Sequence, residues 1–356
     1  MKSNRINSLK ILSIGDFSSY GISNTCLHRN WALKNLANEF YEVNTSKSTS
    51  SLLFRIAFKL FNYGLPVRLP DSQNINEKIK EIINQSKNES FDIVWIDKGL
   101  IIKSSTLKYI KNKSKNTKII SYTADNMILR HNQSQNFLDC IPLYDIHFTT
   151  KSYIINDLKK MGAKKVLFTN QHFEDSFHFP RNLTKIEIEK LGGDVGFIGS
   201  WEEERCRSIL FLANNNIKVK VYGGGKWSNF KGVKNLTILP AIHSEDYSKA
   251  LQSFKISLCF LRKINKDQQT SRSMEIPACG GFMLAERTQE HLSLFEEGKE
   301  AEYFSDDKEL LAKCKFYLKN ENKRIEIAKS GNLRCKKSGY SNKESLKRMI
   351  YLSLNN

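Results

Sequence analysis

An α/β protein of two Rossmann-like, doubly wound domains is what the sequence predicts, from its length, its recurring short apolar strands and one break between two series of them. The chain has 356 residues, more than one ordinary doubly wound domain takes and enough for two. Hydrophobic residues make up 40% of it, which fills two cores and excludes a disordered chain. Apolar, β-branched runs ending in turn residues alternate with helical stretches, the pattern of parallel sheets covered on both faces.

The first series runs 9–16 (LKILSIGD), 91–97 (FDIVWID), 118–125 (KIISYTAD), 144–150 (YDIHFTT) and 165–170 (KVLFTN). The basic N-terminus, MKSNRINSLKILSIG, has too short an apolar part for a signal peptide and reads as the first strand. Segment 51–69 mixes Leu, Phe and Ile with Arg55, Lys59 and Arg68. It reads either as an ordinary surface helix or as an amphipathic helix touching a membrane. Segment 170–193 begins polar, carries Pro180 and closes on two glycines, so it reads as a hinge between domains at 1–175 and 176–340. The second series follows at 194–200 (DVGFIGS), 217–223 (IKVKVYG), 236–242 (LTILPAI), 255–261 (KISLCFL) and 281–286 (GFMLAE). Helical stretches at 307–319, 321–337 and 342–353 end the chain, and the last, within 341–356, is expected to pack back on the first domain.

The formal charge is +19. Lysines are spread over most of the length, often beside asparagine. A nucleic-acid binder would gather them in a patch or stripe with interleaved aromatics, so no nucleic-acid partner is expected. A diffuse solvated surface, an anionic membrane face or an anionic substrate all explain the sign. The seven cysteines form no C-x-x-C pair and are odd in number, which fits reduced thiols in a cytoplasmic protein and no metal site. No apolar run approaches the roughly 20 residues that span a bilayer; the expected location is the cytoplasm, with peripheral contact at the membrane's inner face as its alternative.

In doubly wound sheets ligands bind outside the carboxyl ends of the strands, so the polar residues there carry the chemistry. Run 194–200 leads into Trp201 and EEERCR, and the next strand ends in Gly223, Gly224 and Gly225, followed by Lys226 and Trp227. Three glycines are either a simple turn or a backbone cradle for phosphate; with no Ser or Thr after the lysine this is not a Walker loop. The richest stretch is 263–286, KINKDQQTSRSMEIPACGGFMLAE. Thr270, Ser271 and Ser273 are N-cap candidates for a short helix whose start would aim free N–H groups and partial positive charge at an anion. Arg272 adds a forked donor suited to a pyrophosphate. Glu275, in the first turn, either steadies the helix dipole or accepts hydrogen bonds from ribose hydroxyls. In the first half, Asp16 with loop 18–24, Asp97 with Lys98, and Asp125 with Asn126 are bases for an acceptor hydroxyl or caps of the following helices. His28, His131 and His172 read as packing or surface residues.

The runs DVGFIGSWEEERCRSI, VKVYGGGKW, HSEDYSKALQSFKISLCF, SRSMEIPACGGFMLAE, FEEGKEAEYFSDDKELLAKCKFYL and IAKSGNLRC occur in that order. Together they resemble the C-terminal domain of the group 1 (GT-B) glycosyltransferases, most closely the spore-maturation protein CgeB-like branch. FDIVWIDKG, KIISYTADN and YDIHFTTKSYIINDLKKMGAKKVLF resemble the acceptor domain of the same branch. The resemblance implies the GT-B architecture, two Rossmann-like domains facing each other across a cleft. It also implies transfer of a sugar from a UDP- or GDP-linked donor to a glycan, lipid-linked or protein acceptor, with retention of configuration and no cofactor beyond the donor. In that family a carboxylate pair, E-x7-E, marks the donor site. Here Glu275 matches the second position and Asp267 stands at the first, a departure to D-x7-E. The resemblance puts Arg272 and the amides around 271–273 on the diphosphate and makes Arg205 or Lys226 a second phosphate partner. Gly199 and glycines 223–225 would shape the nucleotide pocket. Asp-x-Asp, the metal-holding motif of GT-A enzymes, does not occur, so the helix start and basic side chains are expected to neutralise the leaving diphosphate without a metal. An epimerase-like enzyme on the same frame, or a binding protein with a decayed site, are the alternatives.

Overall fold

The computed structural model describes residues 8–18, 23–49, 51–86 and 90–355. The basic start of the chain, 1–7, and most of the loop expected to face an acceptor, 19–22, lie outside the described residues. Two parallel six-stranded sheets form. The first holds β1 (Lys10–Gly15), β2 (Glu39–Asn44), β3 (Ile93–Asp97), β4 (Lys118–Thr123), β5 (Ile146–Thr149) and β6 (Val166–Phe168) in the order β2-β1-β3-β4-β5-β6. The second holds β7 (Gly193–Ile198), β8 (Val219–Tyr222), β9 (Leu236–Leu239), β10 (Phe254–Cys259), β11 (Met283–Glu286) and β12 (Glu302–Phe304) in the order β12-β11-β10-β7-β8-β9. The winding reverses between β1 and β3 in one sheet and between β7 and β10 in the other. Those are the switch points at which such sheets bind ligands.

Period-two alternation sends successive side chains to opposite layers. Val94 and Ile96 join one core with Leu12, Ile14 and Ile119, while Ile93 and Trp95 join another with Leu9, Ile11 and Ile120. In the second sheet Val195, Phe197, Val221 and Leu258 form one layer, and Ile198, Tyr222, Cys259 and Met283 belong to the opposite one. The strands absent from the sequence reading, β2 and β12, are both sheet edges.

The chain divides into two compact units, one of Asn24–Asn170 and Lys343–Asn356 with the N-terminal strand, the other of Gln171–Asn342. Segment 170–193 is not an open linker: Phe173 and Phe177 are buried in the core of the second unit. Helix Lys185–Leu191 within it is capped by Thr184 and Glu187 in a reciprocal box. The last helix, Asn342–Leu354, buries Leu346, Met349 and Ile350 against Leu9, Ile11 and Trp95 of the first unit. Where the chain enters and leaves the second unit, Phe173 and Ser341 form a parallel bridge, and Asn342 N–H donates to the Phe173 carbonyl at 2.7 Å.

Helix Glu321–Lys337 packs against helix Ser271–Ala278, and at Gly331 it also meets the Glu300 carbonyl. A Cβ there would stand 2.4 Å from the Glu300 carbonyl oxygen and 3.4 Å from Pro277 Cβ. Its neighbour Asn332 donates from Nδ2 to the Pro277 and Ala278 carbonyls at 3.1 and 2.8 Å, satisfying the C-terminal end of the shorter helix.

Three of the buried imidazoles are held far below their usual pKa. Burial pushes His147 down to about 3, His178 down to about 3 with help from Arg181, and His291 down to about 4. Unfolded histidine binds a proton below about pH 6.5, whereas these folded ones refuse it until far lower. Between those values the unfolded chain holds more protons, so stability falls as pH is lowered. Burial raises the carboxyls of Glu174 and Glu286, which works the other way, so single substitutions separate the two contributions.

Gly331→Ala should destabilise by about 1–3 kcal/mol, because backbone and not a pliable side chain opposes the new methyl; urea unfolding at neutral pH measures it. Across a pH series from 7 to 5, His291→Gln should lose less stability than the wild type, by about 2 kcal/mol at the acid end. Parallel slopes for the two proteins would show that His291 takes up its proton in the folded state.

Candidate functional site

The polar groups of the second unit converge where β7 and β10 lie side by side. After β7 the chain passes through Gly199, Ser200 and Trp201 into helix Glu203–Asn214, which carries Arg205 in its first turn. Arg205 is only 3% exposed. Its Nε donates to the Leu261 carbonyl at 3.3 Å and its Nη1 to the Ser200 carbonyl at 3.2 Å. Glu202 lies 3.6 Å from Nη1 and also accepts from Arg262 at 3.0 Å. Nη2 is buried and finds no hydrogen-bond partner among the described residues. Burial lowers the Arg205 pKa, Glu202 opposes that, and the charges of Arg272 and Arg262 lower it further.

After β10 a loop leads to helix Ser271–Ala278, whose second residue is Arg272. Its Nε is likewise buried with no partner among the described residues. A Cβ built on Gly199 would come within 3.4 Å of Arg272 Nη2, so the guanidinium lies over the end of β7. Two guanidinium groups thus meet at the switch point, each with an N–H that lacks an acceptor. Buried donors without acceptors are costly. An anion beside them would offset the repulsion between the two cations.

The start of this helix is fixed from behind. Thr270 N–H donates to Ser273 Oγ at 3.0 Å, Ser273 Oγ lies 2.7 Å from His291 Nε2, and His291 Nδ1 lies 2.6 Å from the Glu286 carbonyl. A carbonyl only accepts, so Nδ1 carries the proton and Nε2 takes the hydroxyl hydrogen of Ser273. Ser273 and Thr270, named as N-cap candidates, are therefore buried in the support of the site, and the Ser273 amide, expected on the diphosphate, donates to the Thr270 carbonyl at 3.0 Å. Thr270 Oγ1 lies 3.7 Å from Cys259 Sγ. Ser271 is half-buried at the first helical position.

Glu275 is 4% exposed, and its Oε2 accepts from Tyr247 Oη. His178 Nε2 stands 3.7 Å from Oε1, beyond hydrogen-bond reach. With its pKa near 3 this imidazole is neutral and makes no ion pair there. Burial, and then the Glu275 charge, push the Tyr247 hydroxyl well above its usual range. Sequence reasoning missed Tyr247, His178 and His291. The one signal for His178 is its run, QHFEDSFHFPR, where aromatics and histidines recur without a helical period.

Asp267 is buried in the loop before the helix, with its N–H on the Arg262 carbonyl at 3.2 Å. Lys226 is exposed, and its ammonium stands 4.6 Å from the centre of the Trp201 ring. Gly223 is small for packing: a Cβ would lie 2.4 Å from the Gly199 carbonyl oxygen, which accepts from Trp227 Nε1 at 3.0 Å. At Gly224 a Cβ would meet nothing within 4 Å, so no described neighbour demands glycine there.

In the first unit the strand-end carboxylates are already engaged. Arg29 holds Asp97 through two bonds of 2.6 and 2.9 Å and lies over the Tyr122 ring at 4.3 Å. That removes Asp97 from the candidate bases. Lys98 pairs with Asp125 at 2.7 Å. Asp16 Oδ1 accepts from Ser18 N–H at 3.0 Å, closing a turn. Asn126 accepts from Ile128 N–H at 3.1 Å. His28 and His172 are buried and His131 is exposed. Among the described residues no group of three or more His, Cys, Asp or Glu side chains is arranged to hold a metal ion.

Residues 205–350 match the family described as Glycosyl transferase-like. A search of curated proteins finds no match. Among solved structures the chain is similar to Anabaena HepE in complex with UDP-glucose, with a TM-score of 0.62, 12% identity and coverage of 98% of this chain and 99% of that one. It is similar to sucrose-phosphate synthase from Thermosynechococcus elongatus, with a TM-score of 0.60, 9% identity and 97% of each chain covered. It also resembles a trehalose-6-phosphate synthase studied for glycosyl transfer with retention, with a TM-score of 0.63, 11% identity and coverage of 98% and 99%. The two parallel sheets with flanking helices are therefore those of the GT-B glycosyltransferase fold.

Proposed function

We propose that this chain is a glycosyltransferase that moves a sugar from a nucleotide-diphosphate donor, UDP- or GDP-linked, to a glycan, lipid-linked or protein acceptor. The observation that carries the reading is the convergence of Arg205 and Arg272, each with an unsatisfied buried N–H, at the switch point of the second sheet. When the anomeric C–O bond breaks, the departing diphosphate gains negative charge. Fixed guanidinium groups and a helix start stabilise that charge with no reorganisation at the moment of transfer. The Glycosyl transferase-like match includes both arginines, and HepE, with the same fold, was solved with UDP-glucose.

In this reading Arg272 and Arg205 hold the diphosphate, Ser271 offers its amide, and Lys226 with Trp201 flanks the nucleotide. Gly199, Gly223 and Gly224 keep the strand ends low beside it. Asp267, at the first position of D-x7-E, meets the sugar. Glu275, held by Tyr247, steadies the helix and accepts from a donor hydroxyl. Asp16 or Asp125 takes the acceptor proton. The protein neutralises the leaving group without a divalent metal. Retention is favoured by the group 1 motifs and by the trehalose-6-phosphate synthase likeness, and the CgeB-like branch by the order of the motifs. Among acceptors, a lipid-linked one is favoured by an apolar helix face that the first unit exposes at Leu52, Leu53 and Ile56.

Arg272→Ala should weaken UDP or GDP binding by about tenfold or more while leaving thermal unfolding unchanged, read by calorimetry on both proteins. Equal affinity for every nucleotide diphosphate in the two would remove the site assignment. Transfer assayed in EDTA should match that in magnesium, and its loss in EDTA would return the charge neutralisation to a cation.

A further inference from the structure

Helix Leu52–Asn62 is apolar on two faces, and only one of them is covered. At roughly 100° per residue, Ala57, Phe61 and Phe54 share one arc and are buried in the first unit. Leu52, Ile56, Leu60 and Leu53, with the cap residue Tyr63, fill the adjoining arc and are exposed, Leu52 and Leu53 at 64% and 65% and Tyr63 at 76%. Arg55, Lys59 and Asn62 occupy the remainder and are also exposed. Ordinary surface helices keep one apolar stripe and turn polar residues outward. Here the outward stripe is itself apolar, with cations along one border. Between Glu42 and Asp71 the sequence has no acidic residue and carries Lys47, Arg55, Lys59 and Arg68. The helix is firmly seated, since Ser51 caps it, and Arg130 lies over the Phe61 ring and bonds the Phe61 and Leu65 carbonyls.

We infer that this face docks on an anionic lipid bilayer, lying in the interface without crossing it. The charge pattern selects that occupant. Leucine and isoleucine side chains enter the acyl boundary while Arg55 and Lys59 extend their stems along it and keep their charges among anionic headgroups. A second copy of the chain fits poorly, because a two-fold contact over the same stripe would bring its cationic border close to an identical one. No helix among the described residues is long and apolar enough to cross a membrane. The inference does not depend on the donor site, and its test uses no nucleotide.

The test is flotation of the full chain with vesicles of phosphatidylcholine, with and without phosphatidylglycerol. The wild type should float with the phosphatidylglycerol vesicles and partition at least about tenfold more weakly onto pure phosphatidylcholine. Leu53→Ser/Ile56→Ser/Leu60→Ser, which alters only exposed side chains, should stay behind in both cases with an unchanged circular dichroism spectrum. Arg55→Glu/Lys59→Glu should lose the preference for anionic vesicles. The inference is overturned if the wild type does not float with anionic vesicles. It is equally overturned if the triple serine variant floats as well as the wild type, which would reduce the binding to general charge adsorption. A wild-type dimer in sedimentation that the serine variant converts to monomer would assign the face to a second copy instead.

Discussion

Two like charges kept side by side with donors unsatisfied are unstable unless the surrounding backbone holds them there. Arg205 is held by the Leu261 and Ser200 carbonyls and by Glu202. Arg272 depends on the position of its helix, which is anchored at both ends. At the start, hydrogen bonds run from Thr270 through Ser273 and His291 to the Glu286 carbonyl. At the end, Asn332 donates to the carbonyls of Pro277 and Ala278, and Gly331 beside it leaves room for the Glu300 carbonyl. Groups that never reach the surface thus fix where the arginine stands.

The two sheets reverse direction in the same way but handle charge differently. At the switch point of the first, Arg29 and Asp97 form a bidentate pair over Tyr122, and at the neighbouring strand end Lys98 neutralises Asp125. That charge is largely settled inside the unit. In the second, Arg205 has the cations Arg272 and Arg262 near it, Glu202 pairs with Arg205 and Arg262, and two buried guanidinium N–H groups have no acceptor among the described residues. Shared architecture sets where a ligand site sits, and side chains decide what it takes.

The interior strands were legible because burial on both faces writes continuous apolar runs, as in IVWID and FKISLC. The edges were not. EFYEVN of β2 is mostly exposed, and EYF of β12 is three residues long, so neither shows the apolar run that marks a central strand. Arg272 and the helix start at Ser271 were named from local chemistry and Arg205 from the resemblance, and the two arginines lie within reach of each other's charge. Their support was beyond local reading. Tyr247 and His291 lie far from Glu275 and Ser273 in the chain or in a separate element, and no period or spacing announces such partners. For the same reason the inward turn of the Ser273 hydroxyl toward His291 was not foreseen.

The core of the first unit is closed by Leu346, Met349 and Ile350, which are among the final residues of the chain. A ribosome making this protein therefore releases the whole second unit before the first can bury Leu9, Ile11 and Trp95 under their last neighbours. Vectorial synthesis, which lets most N-terminal domains finish early, here leaves the first sheet with one layer uncovered until the second unit has been made.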